Sequence, residues 1–366
     1  MKIICTQENL ATGLSLVSHV ASKNISLPIL NNVLIKAEKG SVTLMTTNLE
    51  IGIITQVRGK VEQEGSITVQ AKTLNDYVAL LPKENIELEL IEQTLHVRAT
   101  KAKTSMKGVD PSEFPLIPTV EAQREISIPA AQLKDALTSV AFAAAYDETR
   151  PEISGVLFQF NGTALTLAAT DSYRLAERTM TLAESVPEYH VIIPMRTAQE
   201  LIRIIQEVGD SVNIKSNENQ IVFSTGGVSL TSRIIEGHYP DYKQIIPQES
   251  ATRATLQVRA FANTVKQASL FCKPGSNDIL LIFDKPAGRI TVSATNVQIG
   301  ASESQYETEI AGESNDIIFN HRFLQEGLQN ITTDECVIEL TTNSSPALIK
   351  PKGKDDYVYI IMPIKQ

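Results

Sequence analysis

The chain has 366 residues, 42% of them hydrophobic, and a net charge of −9. That length exceeds one ordinary core and predicts two or three domains, and no run approaches the roughly 18 apolar residues of a membrane span. The acidic balance, taken alone, argues against a nucleic-acid partner.

The N-terminus, MKIICTQENL, alternates and then turns polar. It has no signal-peptide core, which predicts a cytoplasmic protein with no membrane contact. Cys5, Cys272 and Cys336 are isolated and odd in number, against a disulfide framework or a cysteine metal site. His19, His96, His190, His238 and His321 are scattered and make no ligand spacing such as H-E-x-x-H. Neither a metal nor a cofactor is expected.

Along the chain one pattern recurs three times. TQENLATGLSLVSHVA (6–21), PAAQLKDALTSVAFAA (129–144) and VRAFANTVKQASLFCK (258–273) each follow a short strand. Each places apolar residues at helical spacing: Leu10, Leu14 and Val17; Leu133, Leu137 and Val140; Phe261, Val265 and Ala268. Next come SVTLMTTNLEIGI (41–53), ALTLAATDSYRLA (164–176) and RITVSATNVQIGA (289–301), each an alternating strand, a Thr-Asn or Thr-Asp turn and a second strand. Thr47, Thr170 and Thr295 lie 123 and 125 residues apart. Asn or Asp suits such a reversal, because its side chain can bond backbone amides two residues on. The middle copy differs after the turn: Tyr173, Arg174 and Leu175 appear where the others carry Leu49, Glu50 and Ile51 or Val297, Gln298 and Ile299.

A second amphipathic helix is predicted in VQAKTLNDYVALLP (69–82), IPMRTAQELIRII (193–205) and FNHRFLQEGLQNI (319–331), and a strand pair follows each. STGGVSL (224–230) reads as a hairpin and KPKGKDD (350–356) as a solvated turn. The module is therefore about 120 residues, with domains expected at 1–120, 121–248 and 249–366. The expected fold class is α+β: three repeated domains of antiparallel sheet with two helices each. Three such modules in line form a rod or an arc, whose exposed sheet edges could pair head to tail with a second copy.

The threefold module, LPILNNVLI (27–35), TLAATDSYRLA, GHYPDYKQIIP (237–247) and the ending YIIMPI together resemble the bacterial sliding clamp family, the processivity subunits of replicative DNA polymerase. The resemblance covers the whole chain. It implies a homodimeric ring around duplex DNA, with helices lining the hole and sheets outside, acting as a tether and not as an enzyme. A sliding ring needs a positive inner wall on an otherwise acidic body, which answers the charge objection. Lys23, Asn24, Lys72, Lys134, Arg150, Arg196, Arg203, Lys266 and Lys273 lie on or beside the helices and are the DNA-facing set on this view. The alternative for each is an ordinary solvated helix charge.

In that family a hydrophobic groove takes short motifs from the replicative polymerase's alpha subunit, the clamp loader, translesion polymerases, mismatch-repair proteins and ligase. Transferred by position, the groove here comprises Ile153, Thr170, Ser172, Tyr173, Arg174, Leu175, Pro240, Gln244, Ile245, Asn320, Phe323, Ile360, Met362, Pro363 and Ile364. Met, Leu, Ile and Pro make an adaptable apolar floor, and Arg174 could orient a peptide's polar groups. The plainer reading makes Leu175, Ile245 and Ile360 core. The dimer contact is expected at Lys101, Lys103, Leu270, Phe271, Glu303 and Glu307; helix core is the alternative for Leu270 and Phe271. Two departures from the family pattern stand out: Ser172-Tyr173 replaces a common Gly-His pair, and Lys365-Gln366 replaces a basic residue followed by leucine.

A rival reading takes Asp171, Arg174 and Asp241 as the centre of a hydrolase or transferase. No G-x-S-x-G elbow, phosphate-cradling glycine loop or paired histidine or cysteine supports it. A third reading, a repeat scaffold without DNA, is separated from the clamp only by the basic residues.

Overall fold

The elements repeat one order three times: a strand into a helix, a group of strands, a second helix, then three more strands. The structure, a computed structural model, describes residues 1–21, 27–38, 40–118, 120, 124–147, 149–273 and 275–365. The first pass is β1 (Lys2–Thr6), α1 (Gln7–Ser18), β2 (Asn32–Glu38), β3 (Ser41–Thr47), β4 (Ile51–Val57), β5 (Gly59–Gln63), β6 (Gly65–Gln70), α2 (Ala71–Ala79), β7 (Asn85–Ile91), β8 (Thr94–Arg98) and β9 (Lys103–Lys107). The second has β10 (Arg124–Pro129), α3 (Ala130–Ala141), the long strands β11 (Gly155–Thr170) and β12 (Arg174–Pro194), α4 (Met195–Glu207), β13 (Ser211–Ser216), β14 (Gln220–Thr225) and β15 (Val228–Arg233). The third runs β16 (Thr252–Gln257), α5 (Val258–Ser269), β17 (Asp278–Asp284), β18 (Arg289–Asn296), β19 (Gly300–Glu307), β20 (Ile310–Gly312), β21 (Asn315–Asn320), α6 (His321–Gln329), β22 (Glu335–Leu340), β23 (Ala347–Pro351) and β24 (Tyr357–Ile361). This is the expected α+β class.

The chain divides into two units, residues 1–134 with 196–234, and residues 135–195 with 235–366. The first holds a five-stranded sheet, β5-β1-β7-β8-β9, and an eight-stranded sheet, β10-β13-β14-β15-β4-β3-β2-β6. The second holds a seven-stranded sheet, β11-β12-β24-β23-β22-β16-β20, and a four-stranded sheet, β19-β18-β17-β21. Each large sheet thus joins strands of two passes. β15 lies antiparallel to β4 with Leu230 opposite Ile53, and β24 to β12 with Tyr359 opposite Ala176.

The helices form where the apolar spacing predicts. Leu10, Leu14 and Val17 of α1 are buried, as are Phe261, Val265 and Ala268 of α5. Thr6 caps α1 by accepting from the Asn9 amide at 3.3 Å. α1 packs on α2, and α5 on α6. The glycine pair in STGGVSL makes the predicted hairpin: Gly226 and Gly227 turn β14 into β15 at φ 54° and 82°.

α6 lies directly on β24, because a Cβ at Gly327 would run into the Tyr359 ring. The Tyr359 hydroxyl donates to the Phe323 carbonyl at 2.8 Å and fixes the same contact. Gly327→Ala should therefore destabilise the protein by about 1–3 kcal/mol through overpacking, despite alanine's better helix propensity. Urea unfolding checks this; an unchanged midpoint would show that the helix can lift off the ring without cost.

Candidate functional site

Two copies of the threonine turn share one hydrogen-bond scheme. Thr47 Oγ1 donates to the Ile51 carbonyl at 2.9 Å and accepts from the Leu49 amide at 3.0 Å. Asn48 Oδ1 accepts from the Glu50 and Ile51 amides. In the middle copy Thr170 Oγ1 donates to the Arg174 carbonyl at 2.6 Å and accepts from the Ser172 amide at 3.1 Å. Asp171 Oδ1 takes the Tyr173 and Arg174 amides at 2.9 and 3.0 Å. These bonds hold Leu49 and Ser172 in the left-handed region, at φ 78° and 75°. The third copy departs, because Val297 is β-branched and disfavoured there. Its positive φ, 118°, falls on Gly300, which pairs with Asn296. The shared bonds also correct the expected alignment by one residue: Arg174 stands in the place of Ile51, and Leu175 in that of Gly52.

Arg174 is only 5% exposed. Its Nε donates to Asp171 Oδ2 at 2.9 Å, one terminal nitrogen donates to Glu326, and the other donates to the Phe142 carbonyl at 2.9 Å. The guanidinium carbon sits 4.6 Å from the Phe323 ring centre and 5.4 Å from that of Phe142. Burial opposes the charge, but the Glu326 hydrogen bond and the Asp171 and Glu326 carboxylates outweigh it, and the pKa is raised. The arginine expected to orient a peptide is thus already engaged. Next to it Tyr173 is 64% exposed, its ring stacked on Phe323 at 6.4 Å between centres. Arg150 donates to Ser172 Oγ at 2.9 Å and to Glu152 at 3.3 Å, which places it at this turn.

Leu175 lies opposite both Thr170 and Ile360 across the sheet. Leu175 and Ile360 are fully buried with Leu157, Ala168, Ile192, Tyr242 and Leu348, so the core reading describes these two side chains. Ile153 is buried too. Ile235, Tyr239 and Ile246 of the segment after β15 pack on the cluster. Lys243 pairs with Glu177 and the Tyr239 hydroxyl reaches the Ala168 carbonyl at 3.4 Å, pinning that segment down. Pro240 remains half-buried, while Gln244 and Ile245 are exposed.

Beyond β24 the Met362 amide donates to the Tyr173 carbonyl at 2.9 Å, and the Ile364 amide to the Ile318 carbonyl at 2.8 Å. Met362 and Pro363 are half-buried and Ile364 is 37% exposed. Ile364 lines a hollow of about 350 Å³ with Asp316, Ile318, Asn343, Ser344 and Lys365. Asn320 caps α6 by accepting the Arg322 amide at 3.0 Å. The structure therefore gathers Ser172, Tyr173, Arg174, Phe323 and Met362 around one turn, and sequence reasoning missed the two residues that hold them, Phe142 and Glu326. Only a bond across 152 positions reveals Glu326, which no local pattern could signal.

Lys72, Arg196, Lys266 and Lys273 are exposed, and no ion pair engages them or the half-buried Lys134 among the described residues. Arg203 differs: it pairs with Glu200 and Glu207 and donates to the Ser15 and Leu16 carbonyls at 3.3 and 2.6 Å, capping the end of α1. Lys23 and Asn24 lie outside the described residues. Lys101 and Lys103 are exposed at the start of β9, an edge strand. Glu303 and Glu307 are exposed on β19, also an edge. Leu270 is 70% exposed and so is not helix core, while Phe271 is half-buried against Gly300. Val297 and Ile299, overlooked in the sequence, are 89% and 59% exposed at the neighbouring turn.

Profiles of the DNA polymerase III beta subunit match along the chain: the N-terminal domain at residues 1–118, the central domain at 127–241 and the C-terminal domain at 243–365. The beta sliding clamp of Synechococcus elongatus is 32% identical, with 100% of this chain and 99% of the relative aligned. That of Synechocystis sp. is 31% identical over the same shares. The chain belongs to the beta sliding clamp family. Its fold agrees with the crystal structures of the Bacillus subtilis DNA polymerase sliding clamp (TM-score 0.94, 29% identity, 100% of this chain and 99% of that one) and of the Thermotoga maritima beta subunit (TM-score 0.95, 23% identity, the same shares). As a member, the chain is a DNA sliding clamp of replication, a processivity factor and not a catalyst. The rival enzymatic trio has other duties: Asp171 and Arg174 bond each other, and Asp241 accepts from Gln244 at 2.6 Å.

The paired turns provide an internal control. Asn48→Ala should cost about 1 kcal/mol, the worth of its turn bonds. Asp171→Ala should cost at least about 2 kcal/mol, because it also strips a carboxylate from a buried arginine. Denaturant titration of both variants checks the difference; equal losses would mean that Arg174 finds its compensation elsewhere.

Proposed function

We propose that two copies close head to tail into a ring around duplex DNA, each contributing domains 1–120, 121–248 and 249–366. The observation that carries this reading is the junction the fold already uses twice. The last strand of one pass pairs with the strand after the threonine turn of the pass before it, β15 on β4 and β24 on β12. Among the described residues, the corresponding strands without such a partner are β9 and β19. Transferring the register sets Thr104 opposite Ser302, in the places of Leu230–Ile53 and Tyr359–Ala176. Lys103 then faces Glu303, with Lys101 diagonal to it, and Leu270, Phe271, Val297 and Ile299 supply the apolar centre beside the strands.

The pairing has a direct check. Lys103→Glu and Glu303→Lys should each weaken the dimer about two- to fivefold, the scale of a cross-strand charge pair, and the double reversal should restore it. Sedimentation equilibrium reads the outcome; independent losses that add in the double variant would refute this register.

Lys72, Lys134, Arg196, Lys266 and Lys273 form the cationic lining in this reading. Arg150 and Arg203 are left out, since their guanidinium groups are engaged at the groove turn and at α1. Loose, sequence-independent contact suits a ring held by topology, because every neutralised phosphate adds salt-dependent grip that would oppose sliding. Replacing Lys72, Arg196, Lys266 and Lys273 with glutamate should leave the dimer mass unchanged and abolish loading onto nicked circular DNA, measured by size exclusion. Retention of the quadruple variant on the circle would rule out the encircling reading.

The turn at Ser172–Arg174, Phe323, the segment Pro240–Ile245 and the tail Met362–Ile364 are proposed as the docking groove. Its occupants are linear motifs of the replicative polymerase's alpha subunit, the clamp loader, translesion polymerases, mismatch-repair proteins and ligase. Two features support it: the tail bonds to the turn through Met362, and exposed Tyr173 and Ile364 flank that contact. The larger Tyr173 ring offers an amphipathic stacking face. We place the protein in the cytoplasm, where replication proceeds; no described helix is long and apolar enough to cross a membrane.

A further inference from the structure

We infer that Arg174 is a positioning residue of the groove, acting through Glu326 and not by touching the docked segment; this rests on the groove reading above. Three separate stretches of chain meet on its guanidinium: the carbonyl of Phe142 just after α3, Asp171 in the threonine turn, and Glu326 on α6. Each adjoins the groove. The turn carries Ser172 and Tyr173, α6 carries Phe323, and the Phe142 ring packs 5.6 Å from that of Tyr359, neighbour of Ile360. Phe323 touches both sides of this arrangement, stacked on Tyr173 and lying 4.6 Å from the guanidinium carbon. The arginine thereby sets the spacing between the turn and α6, and with it the orientation of the exposed tyrosine.

Exposure separates positioning from contact. Arg174 is 5% exposed, whereas its partner Glu326 is 44% exposed at the side chain. A ligand group reaching the guanidinium would have to displace Glu326 first. Glu326→Ala leaves the guanidinium bonded to Asp171 and to the Phe142 carbonyl and opens its Glu326 side to solvent, so it loosens the arrangement at a smaller stability cost than Asp171→Ala while the fold stays intact. Lysine at position 174 keeps the charge but cannot span three acceptors, since an ammonium lacks the planar fork. The two residues therefore belong to one device, and their variants should be non-additive.

The test measures binding of the purified replicative polymerase subunit from the same organism to the full-length dimer, with Met362→Ala as the groove control. Arg174→Lys and Glu326→Ala should each weaken binding about fivefold or more, and the double variant no further than the weaker single. Glu326→Ala should melt above Asp171→Ala and remain a folded dimer at the assay temperature, so that the lost affinity is not a lost fold. If Glu326→Ala leaves the affinity unchanged or tightens it, or if the losses add, the positioning inference is overturned. If Met362→Ala also leaves binding unchanged, the groove reading itself fails and the inference falls with it.

Discussion

Backbone pairing at sheet edges is the constraint on which the remaining structure depends. A strand edge exposes a row of donors and acceptors, and this fold satisfies two such rows by running sheets from one pass of the repeat into the next. The strands at each junction are of the same kind and meet in the same register, Leu230 opposite Ile53 and Tyr359 opposite Ala176. That repetition places the functional surface. With β24 beside β12, Leu175 and Ile360 become neighbours, the tail beyond β24 runs past the threonine turn, and the segment after β15 has an apolar face to cover.

The turn shows how one local device acquires different duties. Threonine and Asn or Asp satisfy the reversal in both of the first two copies, holding a non-glycine residue at positive φ. Where the first copy has Ile51, the second has Arg174, and a buried guanidinium demands partners. Asp171 is supplied locally. Phe142 and Glu326 come from far along the chain, so satisfying the charge also fastens α6 and the end of α3 to the turn. The neighbouring Tyr173 is left outside, backed by an aromatic ring and open to solvent.

Much of this was legible in the sequence, for reasons that are local. Helical spacing marked all six α-helices of the described residues, and the alternating strands around each Thr-Asn or Thr-Asp pair marked the hairpins. Residues whose identity depends on distant partners were not legible. Arg203 looks like any helix cation, yet it caps α1 through carbonyls 187 and 188 positions away. Arg150 also looked free and instead bonds Ser172. The third turn departs because of Val297, whose β-branch resists the conformation that Leu49 and Ser172 adopt, and its positive φ falls on Gly300 instead.

By itself the sequence determined the α+β class, the threefold element order, the helices and the turn chemistry, because propensity, periodicity and Asx bonding act over a few residues. Only the tertiary structure decided that the middle pass divides its strands between two large sheets, and that Arg174 is committed while Tyr173 is open. Edge pairing and the compensation of a buried charge join groups more than a hundred positions apart, and no local pattern carries that information.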